Sequence, residues 1–196
     1  MKTKKSLLLI FVLALVAAAC SSTATPCDQA EITTGENGLP DLGGCEFTFA
    51  VENAYLPYNY IDAEDGEAKG WDYDVFNYLG EQMNFTPVYV AAAWDGMIQA
   101  VADGQYMIAG DGISITDERD KIVDFSDSYI VVEQRILVSV DNSDINSASD
   151  IANGDFVVAT QKGTTNYELA VSLFGEDKVE AYDQFDFAIA AVISGD

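Results

Sequence analysis

Arg119 and Arg135 are the only arginines in a chain that carries 33 acidic residues and no histidine. A planar two-pronged contact to a carboxylate needs a guanidinium, so one of these two must supply it if the protein holds an anion that way. Arg119 closes the run Gly112-Ile113-Ser114-Ile115-Thr116-Asp117-Glu118-Arg119, in which Thr116 or Asp117 can cap a short helix. Backbone groups at a strand end, the Ser114 hydroxyl and a fixed guanidinium can together take a carboxylate and an adjacent ammonium. The bland alternative is a surface pairing of Arg119 with Asp117, Asp120 or Asp124, and on spacing alone that is the commoner outcome.

Gln161-Lys162-Gly163-Thr164-Thr165 follows a β-rich run and opens a helical one. Free N–H groups at a helix start, with two hydroxyls beside them, make an anion site; ordinary capping by Thr164 or Thr165 explains the same residues. Tyr55-Leu56-Pro57-Tyr58 and Trp94-Asp95-Gly96 put aromatic rings at strand–loop junctions. Such rings can sandwich an organic side chain, or serve as core and rim packing.

The elements that must hold these groups alternate between β-rich and helical periods from Glu46 onward, which predicts α/β architecture. Strands are predicted over residues 47–51, 85–91, 107–109, 131–140, 156–159 and 178–181. Asp72 is a candidate cap for a helix whose Val75, Phe76, Leu79 and Met83 share a face. Trp94, Met97, Ile98 and Val101 mark a second helix, residues 117–122 one or two helical turns, and helices begin at Thr164 and Phe185. The last is apolar nearly all round. Residues 141–154 are polar and turn-rich and are read as a crossover. No internal repeat is found.

Lys2, Lys4 and Lys5 precede an uncharged, almost wholly apolar stretch over 7–19, too short to span a bilayer and suited to a signal peptide. The segment resembles a lipoprotein signal, because Ala17-Ala18-Ala19 leads directly to Cys20, the cysteine that would be lipidated. The usual motif prefers Leu where Ala17 stands, so simple secretion stays open. A polar tether, Ser21 to Pro26, follows. Cys27 and Cys45 are then an even pair in an oxidising compartment, free to form a disulfide or to remain two thiols. With no histidine and no closely paired cysteines, no metal site is expected. The formal charge is −24, and without Lys2, Lys4 and Lys5 it is six basic against 33 acidic residues, or −27. Such a surface repels phosphate backbones, which disfavours nucleic acid. Disorder is disfavoured by a 49% hydrophobic composition.

Taken in order, the landmarks resemble one family. Glu52-Asn53-Ala54-Tyr55-Leu56-Pro57-Tyr58, Gly70-Trp71-Asp72-Tyr73-Asp74-Val75, Trp94-Asp95-Gly96-Met97-Ile98, Asp111-Gly112-Ile113-Ser114-Ile115-Thr116, Glu118-Arg119, Val123-Asp124-Phe125-Ser126 and Gly163-Thr164-Thr165 are similar to segments of family 3 extracellular solute-binding proteins. The resemblance covers residues 46–196. It implies a two-lobe periplasmic-binding-protein fold with ligand in the interlobe cleft: signal peptide 1–19, tether and leader 20–44, first lobe 45–140 and second lobe 141–196.

The resemblance further implies the binding component of an ABC-type amino-acid uptake system, not an enzyme, with no cofactor. The chain would be monomeric and extracytoplasmic, either anchored to the membrane through Cys20 or soluble, and would deliver a polar or cationic amino acid to a membrane permease. Arg119 would grip the α-carboxylate with N–H groups at Ser114 and Thr165. The Ser114 hydroxyl and Gly112 carbonyl would take the α-ammonium; Tyr55 and Trp94 would flank the side chain; Glu52 and Gln161 would read its tip, with Thr164 beside them. Two departures stand out. Met107 occupies a position where the family has an aspartate, and the family continues past Asp196 into a strand whose aspartate pairs with the ammonium. The second lobe is therefore expected to be incomplete and binding weak or absent. The alternatives on this fold are a cyclohexadienyl-dehydratase-like enzyme, with Glu52 or Asp111 as the acid, and a ligand-sensing ectodomain.

Overall fold

The computed structural model describes residues 25–196. The signal-like segment and Cys20 lie outside the described residues. Strands β1 (Thr33–Thr34) and β2 (Pro40–Asp41) pair antiparallel in the leader. A disulfide joins Cys27 to Cys45, the first residue of β3 (Cys45–Val51), with their Cα atoms 5.0 Å apart. Leu42 completes this buried cluster, against which Phe47, Met83, Phe85 and Met107 pack. Met107 thus sits in packing.

The end of β3 leads into a small antiparallel sheet of β4 (Ala54–Tyr55), β5 (Asn59–Ile61) and β6 (Ala68–Lys69). Helix α1 (Trp71–Met83) follows and crosses to β7 (Phe85–Ala91), which pairs parallel with β3. Its start needs a glycine. Gly70 has φ +129°, and a Cβ there would overlap the Tyr58 carbonyl. Asp72 does not cap α1: Gly70 holds the cap position without a side-chain bond, and Asp72 is buried and turned toward Asn59. The four residues predicted to share a face are half-buried against the sheet. Phe76 lies 4.1 Å, centroid to centroid, from Phe49 at the sheet's centre. Full burial of such a ring contributes roughly 1.5–3 kcal/mol, which Phe49 realises and half-buried Phe76 realises in part.

Helix α2 (Met97–Ala102), with Met97 almost fully enclosed, leads to β8 (Ile108–Ala109) on the other side of β3. The resulting parallel order is β7-β3-β8. Residues 131–140 were expected to form a strand and do not. No ladder pairs them among the described residues, and Val131 and Val140 are 90% and 97% exposed. These β-prone residues lack the neighbouring backbone that would make them a strand. The crossover holds a helix the periodicity missed, α3 (Ala148–Asn153), started by Ser147, whose N–H donates to the Asp150 carboxylate at 2.8 Å.

A second parallel unit repeats the strand–helix–strand plan: β9 (Val158–Gln161), α4 (Thr165–Phe174) and β10 (Val179–Tyr182). Helix α5 (Phe185–Ser194) packs on β9 and β10. It buries Ala188 and Ala191, while Phe187 and Ile193 face outward.

Candidate functional site

Parallel βα units present side chains where strands end, and six strand ends or loops converge on one cavity of about 60 Å³. Glu52 stands one residue beyond β3, and Tyr55 ends β4. Trp94 lies between β7 and α2, and Asp111, Gly112 and Ser114 follow β8. Arg119 opens a single 3-10 turn, and its N–H donates to the Thr116 hydroxyl at 3.2 Å. From the facing unit come Gln161 at the end of β9, Thr164 as the cap of α4 and Thr165 as its first residue. All nine residues singled out in the sequence line this cavity.

Arg119 is half-buried, and no carboxylate pairs with it among the described residues. Its guanidinium donates to the Ser114 carbonyl at 2.9 Å and to the Gly163 carbonyl at 3.2 Å, and lies 5.2 Å from the centre of the Trp94 ring. Burial lowers its pKa. Arg135, by contrast, is exposed and pairs with Glu133. The surface pairing of Arg119 with Asp117, Asp120 or Asp124 is not formed. A desolvated cation held between carbonyls and a ring is poised for an anion.

Gly163 makes the opposite wall possible. Its φ of +68° turns the chain so that its carbonyl meets both Arg119 and the Trp94 indole N–H, the latter at 3.2 Å. The Thr164 hydroxyl accepts from Tyr167 N–H at 3.1 Å and donates to the Gln161 carbonyl at 2.7 Å, so this side chain caps. The first N–H groups of α4, at Thr165 and Asn166, have no intrahelical acceptor and border the cavity. Further across, Gln161 Nε2 donates to Glu52 Oε1, and Tyr55 meets Phe185 edge-on at 5.7 Å. Burial raises the Glu52 pKa; the Gln161 bond opposes this and the Asp186 charge adds to it.

Behind the cavity lies an arrangement the sequence does not announce. Asn59 is fully enclosed, and its Oδ1 accepts from Asn53 N–H at 2.7 Å, which fixes the amide orientation. Its Nδ2 then points at Asp111 Oδ1, 2.6 Å away, and Asp72 Oδ2, 2.8 Å away. Two buried carboxylates thus share one neutral amide. Burial raises both pKa values, that of Asp111 to about 7, with the Glu52 and Asp72 charges adding to the rise.

Val132, Gln134, Thr160, Asn166 and Phe185 also line the cavity and were not anticipated. Gln134 donates to Thr165 Oγ1 at 3.5 Å and accepts from Asn166 Nδ2 at 2.7 Å. Only the apolar start of α5 carried a signal, since Phe185 opens it. Gln134 lies in the segment read as a strand, where its side chain gave no cue.

The model of the bacterial extracellular solute-binding proteins, family 3, matches residues 47–195. The L-cystine-binding protein TcyA of Bacillus subtilis is 24% identical over 196 residues, covering 98% of this chain and 70% of the relative. The arginine-binding periplasmic protein of Mannheimia haemolytica is 28% identical over 160 residues, or 79% of this chain and 64% of the relative. Among solved structures, an ancestral amino acid-binding protein described as a precursor of cyclohexadienyl dehydratase aligns with TM-score 0.72 and 33% identity, over 76% of this chain and 66% of its own. The chain spans about two thirds of the length of each of these three proteins.

Proposed function

Because the chain belongs to the family 3 bacterial extracellular solute-binding proteins, we propose that it captures an amino acid in the Arg119 cavity for an ABC-type permease. The observation that carries this reading is the half-buried Arg119 guanidinium without a carboxylate partner, facing the first turn of α4. Both walls of an α-carboxylate site are supplied by the described residues. Arg119 and the Thr165 N–H would hold the carboxylate. The Ser114 hydroxyl and Gly112 carbonyl would take the ammonium, and Tyr55, Trp94, Glu52 and Gln161 would enclose the side chain. The relatives' names point to amino acids with a second polar or charged end.

A ligand that touches both walls binds the closed arrangement preferentially, and only such differential binding shifts an open–closed equilibrium. The division into lobes 45–140 and 141–196 belongs to this proposal, as do the monomeric state and the absence of catalysis. Anchoring through Cys20 fits the tether and the extracellular character of the family; metabolic labelling with a fatty acid should mark the native protein and not Cys20→Ala. The test of binding is isothermal titration of the 196-residue chain against the twenty amino acids and cystine. Saturable heat with at least one, weak where the second lobe is incomplete as the sequence leads one to expect, supports the reading, and none with any of them removes it. Turnover of arogenate or prephenate would replace it with the dehydratase alternative.

A further inference from the structure

Asp111 has no part in holding a carboxylate, yet it is placed at the cavity wall with only 4% of its surface exposed. One oxygen accepts from Asn59 Nδ2 at 2.6 Å. The other has no protein donor, and it is not fully enclosed: among the described residues the only sealed side-chain oxygen without a partner is Asp72 Oδ1. Asp111 lines the cavity, and this is its carboxyl oxygen without a protein partner. Asn59 cannot compensate it, because its two amide hydrogens are shared among Asp111, Asp72 and the Gly110 carbonyl.

The balance of charge in the cavity points the same way. Its lining holds two carboxyl groups, Glu52 and Asp111, against one cation, Arg119. Glu52 already accepts from Gln161. A zwitterion whose carboxylate meets Arg119 brings an ammonium close by, and Asp111 directly precedes Gly112 and lies three residues before Ser114. We propose that Asp111 is the counter-charge for the ammonium of the bound amino acid, so that the cavity selects zwitterions and releases a proton as it fills. The proposal rests on the amino-acid-binding reading and names a residue that selects within it.

The proton comes from Asp111 itself. Burial, Glu52 and Asp72 raise its pKa to about 7, so near neutrality it is partly protonated when the cavity is empty. Tyr55 and Tyr129, whose pKa values its charge helps to raise, and Tyr58 complete the titratable groups around it, with Arg119 the nearest cation of the lining. An incoming ammonium favours the carboxylate, and the displaced proton leaves to buffer.

Calorimetry with L-arginine, L-lysine, L-glutamine and L-cystine, each run in two buffers of different ionisation heat, tests this. At pH 7 the wild-type chain should release about half a proton per amino acid bound, and affinity should fall as pH drops below 7. Asp111→Asn should bind the same amino acids at least about ten-fold more weakly and release none of that proton. Unchanged affinity with unchanged proton release in the variant overturns the proposal while leaving amino-acid binding intact. A weaker variant that still releases the proton marks a structural role and overturns it equally. Wild-type proton release needs no variant, so its absence decides against the proposal even if Asp111→Asn fails to fold. If none of the four amino acids binds, the proposal falls; whether the binding reading falls with it is decided separately by the wider panel.

Discussion

Gln161 Nε2 donates to Glu52 Oε1 at 2.6 Å, joining residues 109 positions apart across the cavity. Glu52 follows the central strand β3 and Gln161 ends β9, so the bond ties the two parallel units together. A hydrogen bond to a carboxylate contributes roughly 1.5–3 kcal/mol. Gln161→Ala should therefore shift the ligand-free chain toward an open arrangement by about ten-fold or more. Small-angle scattering should show a larger radius of gyration for the variant than for the wild type. Equal radii would mean that this contact does not hold the units together.

Arg119→Lys keeps the charge and loses the planar fork that spans the Ser114 and Gly163 carbonyls. Arg119→Ala loses both. Removing one partner of a desolvated charge pair typically costs about 2–5 kcal/mol, so the alanine variant should bind amino acids about 30-fold more weakly at least, with lysine between. Because the desolvation that lowers the Arg119 pKa offsets its bonds to the Ser114 and Gly163 carbonyls, the ligand-free melting temperature should change little in either variant. Titration calorimetry and thermal melts separate the two effects. A large drop in melting temperature would assign Arg119 a structural task.

How far this cavity could be read in advance depended on what each residue needs. Arg119 was conspicuous because arginine is scarce and its chemistry narrow. The Gly163 turn and Thr164 cap announced a helix start, which fell at Thr165. The α/β alternation was visible where helical and strand periods are long, as in α1 and β7. The segment over 131–140 misled, because β-branched residues describe a side-chain preference and a strand also needs a neighbour. Asn59 was invisible for a related reason: its task is to stand between Asp72 and Asp111, which are 13 and 52 residues away and meet only in the folded chain. Asp72 looked like a cap because acidic residues favour helix starts, but Gly70 takes the cap position and frees Asp72 to turn inward.

The Cys27–Cys45 disulfide closes a loop with a sequence separation of 18. Restricting an unfolded loop of that size is worth roughly 3 kcal/mol. In a chain of this length that corresponds to about 6–12 °C in melting temperature. Reduction, or replacement of both cysteines by alanine, should lower the melting temperature by that much. Amino-acid affinity should be unchanged, since the disulfide lies at the start of β3 and the cavity beyond its other end. A loss of affinity comparable to the loss of stability would show that the leader supports the cavity directly.

The Asp111 carboxyl should make the ligand-free chain less stable in base. Its pKa stands at about 7 in the folded chain against an ordinary 3.8, so the folded state holds the proton more tightly than the unfolded state does. The stabilising contribution of that proton is complete below about 3.8 and is lost as pH rises through about 7. The gap corresponds to roughly 4 kcal/mol at most. Asp111→Asn cannot ionise and keeps an acceptor toward Asn59. It should match the wild type near pH 4 and exceed it in denaturant stability at pH 8 by up to roughly that amount. Urea unfolding at the two pH values, without amino acid present, measures the difference. Wild-type and variant stabilities that run parallel from pH 4 to pH 8 would mean that Asp111 reaches water freely and is not enclosed beside Asn59 and Asp72.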